Sequence, residues 1–151
     1  MGLVQRFTNE EIKAEIAKRV ALIDNAIIRR LSYLGEQCRN HAIDNRGYTD
    51  QTSNLKSSTG YLIVAHGEIV KSAFKKQDKA NTGDLIGRTY AEQLATKYQS
   101  GYALVMVAGM TYASLVEARG RNVLGTTKQF CEQEMPQMIE QLKSNIKMMT
   151  R

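Results

Sequence analysis

Side chains able to do covalent or acid–base chemistry are few. There are two histidines, His41 and His66, and two cysteines, Cys38 and Cys131. A general base must lie within hydrogen-bond reach of the proton it takes, and a thiol nucleophile needs a base beside it. Neither histidine stands beside a Cys or a carboxylate pair in a metal spacing, and no base is in sequence reach of Cys131. His66, followed by Gly67 and Glu68, reads as a turn residue. Cys38 reads as a small core residue, and Cys131, next to Phe130, as core or partly exposed. Two cysteines make no disulfide framework. Asp50, Ser53, Ser57 and Ser58 crowd one stretch without a His nearby, so caps and turn bonds account for them. There is no phosphate-cradling loop, no His-Glu metal motif and no nucleophile elbow. The expectation is a protein that is not an enzyme, with no cofactor and no metal.

Composition narrows the class. The 151 residues favour one domain, and 42% hydrophobic with 24% charged residues is ordinary for a globular chain. Disorder, a membrane span and a secreted disulfide scaffold are not expected. Residues 1–6 lack the apolar stretch of a signal peptide, and Arg6 stands where a myristoylation signal wants Ser or Thr. The net charge is +6. Residues 8–44 hold six basic and six acidic groups, whereas residues 45–83 hold six basic against three acidic. Lys71, Lys75, Lys76 and Lys79 belong to that basic stretch. They fit a phosphate backbone, an acidic partner or a solvated face.

The elements that would position these groups follow from periodicity. Thr8-Asn9-Glu10-Glu11 is a capping box. Ile12, Ile16, Val20, Ile23, Ile27, Leu31, Leu34, Cys38 and Ala42 then form one stripe at helical steps, predicting a helix over 8–44. Asn45 or Gly47, in a left-handed conformation, supplies the stop. Such a helix exceeds what the domain's own core needs, so part of its stripe packs on another subunit, or a bend splits it in two. Residues 48–60 read as a loop with one helical turn at 53–58. A β-hairpin follows over about 61–74, then a mobile charged connection to Gly83. Asp84 caps a middle helix. Residues 102–109 read as a strand buried on both faces, 112–119 as a short helix, and 122–124 as a brief strand. Thr126 or Thr127 caps a last helix to about residue 150, which Pro136 should bend or restart. Its methionines (Met135, Met138, Met148, Met149) suit a core or a partner surface. The order α–β–β–α–β–α predicts a single α+β domain.

Two segments carry a resemblance. One is Gly47-Tyr48-Thr49-Asp50-Gln51-Thr52-Ser53-Asn54-Leu55-Lys56-Ser57-Ser58-Thr59-Gly60-Tyr61, followed by the hairpin. The other is Leu104-Val105-Met106-Val107-Ala108-Gly109-Met110-Thr111-Tyr112-Ala113-Ser114-Leu115-Val116-Glu117-Ala118-Arg119-Gly120. Together with the long first helix they resemble the tail-completion, or head–tail joining, family of tailed bacteriophages. Ser53 stands where that family has Gly, and Thr59 where it has an aliphatic residue. The resemblance implies a structural virion protein, made in the bacterial host cytoplasm and placed at the head–tail junction. It implies a homo-oligomeric ring, a hexamer or dodecamer, around the DNA channel. Neighbours would be connector or head-completion proteins, tail-terminator or tail-tube proteins, and packaged DNA bound without sequence specificity. The resemblance implies no membrane partner. Gly47, Thr52, Asn54, Leu55, Ser57, Gly109, Tyr112, Ala113, Glu117 and Gly120 would be the structural motif positions. Lys71, Lys75, Lys76 and Lys79 would face the channel or a partner. The alternative is a small basic nucleic-acid-binding protein, although no recognition helix with clustered Arg is evident.

Overall fold

The computed structural model describes residues 1–77 and 79–149. Helix α1 (Asn9–Asp44) is continuous over 36 residues, a rod of about 54 Å at 1.5 Å per residue. It does not split into two. The expected capping box is formed: the Glu11 N–H donates to Thr8 Oγ1 (3.2 Å) and the Thr8 N–H to Glu11 Oε2 (2.8 Å). The helix ends without a left-handed residue, because Asn45 has φ −100° and closes it by donating its backbone and side-chain N–H to His41 O. Gly47 has no positive φ either.

A short turn α2 (Asn54–Ser57) leads into strand β1 (Thr59–Ala65), which forms a hairpin with β2 (Glu68–Ala73). The turn residues His66 and Gly67 both have positive φ, 54° and 84°. Two such residues match the right-handed twist of a tight hairpin. Helix α3 (Gly83–Ala95) crosses to β3 (Tyr102–Ala108), which returns to β1. Helices α4 (Ala113–Ala118) and α5 (Gly125–Met149) complete the chain. The α+β class is as the sequence predicts, with an antiparallel sheet in the order β2-β1-β3.

The two faces of the sheet follow from the two-residue period of strands. On one face Leu62, Val64, Val105 and Val107 pack against Ala91 and Ala95 of α3. On the other, Tyr61 and Ile63 are fully buried on the α1 side. The Tyr61 ring lies flat enough on α1 that a Cβ at Gly35 would sit 2.6 Å from it, which explains a glycine in mid-helix. The Tyr61 hydroxyl donates within reach of Ser32 O (3.2 Å) and Glu36 Oε1 (2.9 Å).

Several expectations are corrected here. The strand buried on both faces is β1, the centre of the sheet, and not β3, an edge strand whose Tyr102, Leu104 and Met106 are only half-buried. Residues 122–124 form no strand. Asp84 is not the cap of α3, and neither Thr126 nor Thr127 caps α5; Asn122 Oδ1 accepts the Thr126 N–H instead (3.1 Å). Helix α5 does not restart at Pro136 but runs through it as one element. Proline removes one N–H and crowds the carbonyl four residues back, a cost that the packing of this 25-residue helix along α1 opposes. The end expected near residue 150 lies outside the described residues.

Cys38 and Cys131 are joined as a disulfide, with Cα atoms 6.1 Å apart. Spacing of 93 residues hides such a pair; only the packing of α5 on α1 brings them together. His41 strengthens the same seam: its ring stacks on Phe130 at 4.5 Å, and its Nδ1 lies 3.0 Å from the buried Thr127 Oγ1.

Candidate functional site

The motif positions converge on one junction. Asn54 Oδ1 accepts the backbone N–H groups of Asn81 (3.0 Å), Thr82 (3.4 Å) and Gly83 (3.3 Å). A residue 29 positions earlier in the chain thus supplies the cap that Asp84 was expected to give. Ser57 Oγ accepts the Gln77 N–H (2.9 Å). Ala80 is buried. The connection after the hairpin is therefore tied down on both sides of Asp78, contrary to the expected mobile segment; Asp78 itself lies outside the described residues. Thr52 Oγ1 accepts the Asn54 N–H (3.4 Å), and Leu55 packs with Ala113 and Val123 in a second small core.

The second motif segment closes the junction. The Gly109 N–H donates to Ser58 O (3.2 Å). A Cβ on Gly87 would collide with the Ser58 carbonyl, and one on Gly109 with Gly87 itself, so three backbones touch at this point. The Gly83–Gly87 pair, one helical turn apart, is the readable signal of that close approach, and sequence reasoning passed over it. Glu117 Oε2 accepts the N–H groups of Val123 and Leu124, both at 2.8 Å. Gly120, at φ 74°, turns the chain after α4, which Tyr112 precedes at the surface. The Gly47 N–H donates to Asn122 O (2.9 Å), joining the end of α1 to the start of α5. These residues make backbone-satisfying bonds and close contacts, and the chemistry they perform is structural.

The four lysines have different surroundings. Lys71 is half-buried, with Nζ 5.9 Å from the centroid of the Tyr61 ring, a cation–π arrangement. Lys75, Lys76 and Lys79 are exposed. Among the described residues no group of three His, Cys, Asp or Glu side chains could hold a metal ion.

One polar cluster joins residues that sequence reading left apart. Tyr102 Oη donates to Asp24 Oδ1, and His66 Nε2 lies 3.3 Å from the same oxygen. The His66 ring meets Tyr102 edge-on at 5.1 Å. Hydrogen bonds from Tyr102 and then His66 hold the Asp24 carboxyl below its ordinary pKa. Burial and then the bond to Asp24 push the Tyr102 phenol up to about 12. Nothing in the sequence around Asp24 marks it. Elsewhere, burial and then the Asp50 charge raise the Tyr48 phenol to about 12. Arg39 is buried; its Nε donates to Thr59 O (3.3 Å), and its Nη2 has no hydrogen-bond partner among the described residues. Burial lowers its pKa.

Asp24 also marks where α1 leaves the domain. Beyond it the stripe residues are bare: Ile12 is 47% exposed, Ile16 58% and Val20 50%, against 1% for Leu34. A second bare apolar surface lies between α5 and the outer strand β3. It is a groove of about 770 Å³ lined by Leu31, Leu34, Leu104, Met106, Met135 and Ile139, with Glu117, Lys128 and Glu132 among its polar residues. These two surfaces are the candidate site, and their chemistry is that of docking.

Comparison of the chain with protein-family models, curated proteins and solved structures returned no match. No helix among the described residues is long and apolar enough to cross a membrane.

Proposed function

We propose that this chain is a structural virion protein of a tailed bacteriophage that completes the tail and joins it to the head. In this reading copies form a ring at the connector–tail interface around the DNA channel. The observation that carries it is the uncovered half of α1: a stripe of Ile12, Ile16 and Val20 continued beyond the domain needs a second chain to cover it. Rings arise when one surface of a subunit binds a different surface of the next and the rotation closes. The resemblance in the two motif segments supports the reading, since their residues build the junction that holds the sheet, α3 and α5 in register. Exposed Lys75, Lys76 and Lys79 suit a channel wall that meets DNA phosphates without reading bases. Connector and tail proteins would cover the two ends of the ring.

Electron microscopy of particles made by a phage lacking this gene tests the role. Filled heads beside separate tails are expected. Normal infectious particles would overturn it and shift weight to the small basic nucleic-acid-binding protein, for which duplex binding with a steep salt dependence is the required result.

A further inference from the structure

We infer that the projecting half of α1 from one copy docks in the apolar groove between α5 and β3 of a second copy. This deepens the ring reading above and rests on it for closure of the assembly, while the contact itself belongs to the isolated chain.

Both surfaces need an occupant. Residues Ile12, Ile16 and Val20 follow one another at steps of four, so that they line one face, the anchor pattern of a helix laid in a groove. A separate recess on α5, which reaches Pro136 and Glu140, shares Glu132, Met135 and Ile139 with the groove and extends the apolar surface along the helix. Its floor is the half-buried side of β3, which α1 of the same chain leaves open.

The occupant cannot be the chain's own limb. Leu31 lines the groove, and α1 is one continuous helix. Val20 therefore lies about 17 Å from Leu31 along the axis, and Ile12 about 29 Å. Leu3, Val4 and Phe7 are exposed as well, but a tether of five residues spans at most about 18 Å, while Thr8 is about 35 Å from Leu31 along the helix. A second copy meets no such limit.

Charge and symmetry agree. Residues 1–22 carry four basic groups against three acidic, and the groove carries Glu117 and Glu132 against Lys128. Limb and groove are different surfaces of one subunit, so the contact is heterologous and propagates from copy to copy. A limb-to-limb contact would instead pair like with like and leave the groove empty.

The test uses two surface variants of the full chain, Ile16→Asp on the limb and Met135→Asp in the groove. Both positions are exposed, 58% and 42%. Analytical ultracentrifugation of the wild type should give a mass above one chain. Each variant alone should sediment as one chain. An equal mixture should give a two-chain species and nothing larger, because one intact limb then meets one intact groove. A wild type that stays a single chain at every concentration overturns the inference. So does an assembly that survives either substitution, or a mixture that remains single chains. Thermal melting and the intact Cys38–Cys131 bond report folding; Val20→Asp or Ile139→Asp replaces a variant that melts early. A purified chain that fails this test while the gene deletion still separates heads from tails removes the limb–groove contact and spares the joining role.

Discussion

The two halves of α1 carry one apolar stripe and meet opposite fates. From Ile23 onward the stripe passes into the domain, and Leu34, Cys38 and Ala42 are fully buried against the sheet and α5. Before Asp24 the same spacing continues over bare surface. Helical periodicity states which face of a helix is apolar; it does not state what covers that face. The inner half is covered by its own chain, and the outer half is left bare by it.

Truncation should separate the halves most sharply. Leu34→Ala removes a buried side chain and should lower unfolding stability by about 2–5 kcal/mol. Ile16→Ala, at a half-exposed position, should change the stability of the single chain by less than about 0.5 kcal/mol. Urea unfolding of the two variants, at concentrations where the chain is a single copy, measures both. Equal losses would mean that the limb folds back on its own domain, and the contrast drawn here would collapse.

The second prediction concerns what anchors the inner half. The Cys38–Cys131 bond links segments 93 residues apart, and closing a loop of that length in the unfolded chain is costly. Its loss in Cys131→Ser should lower stability by about 2–4 kcal/mol, read as a shift in the urea midpoint. The limb lies outside the seam, so proteolysis between Glu10 and Val20 should proceed at the same rate in variant and wild type. Faster cleavage there would show that the seam controls the limb too.

Much of the fold was legible from sequence, for reasons that vary with position. The capping box at Thr8 and Glu11, the stripe of α1 and the β-rich runs of the hairpin are local signals, and the structure follows them. What sequence hid is non-local. The cap of α3 comes from Asn54, the partner of Cys38 from α5, and the partners of Asp24 from the hairpin turn and β3. Strand β3 reads as doubly buried because Tyr102, Leu104 and Met106 are apolar, yet those side chains line the open groove. A run that lines an open groove looks the same in sequence as one that lines a core. The candidate site was therefore visible as an excess of stripe, and its groove only through Met135 and Met138, which read as core or partner surface, while the β3 side of it was hidden. Ser53 offers a finer case. It departs from the resembling motif at a position with φ 58°, a left-handed conformation that favours glycine. Ser53→Gly should raise stability by roughly 1 kcal/mol, measured by thermal melting. A loss would mean that the Ser53 side chain, and not the backbone shape, matters there.

The smallest expected effect sits at the boundary between the halves, where Asp24 ties α1 to His66 and Tyr102. The Asp24 carboxyl is depressed below its usual 3.8, so its contribution is present above that value and is lost as pH falls through the lower folded pKa. The Tyr102 phenol is raised from 10.0 to about 12, so its contribution is complete below pH 10 and is lost as pH climbs toward 12. Tyr48 adds a loss of the same sign in the same alkaline window. Asp24→Asn should remove the acid-side component and lower the Tyr102 pKa, followed by phenolate absorbance. That pKa should remain above 10.0, because burial raises it independently of the carboxylate. An unchanged Tyr102 titration would mean that the carboxylate does not hold the phenol, and that α1 is fixed at this point by packing alone. The tie would then cease to mark where the anchored half ends, and the boundary would move inward to the first buried residue of the stripe, Leu34.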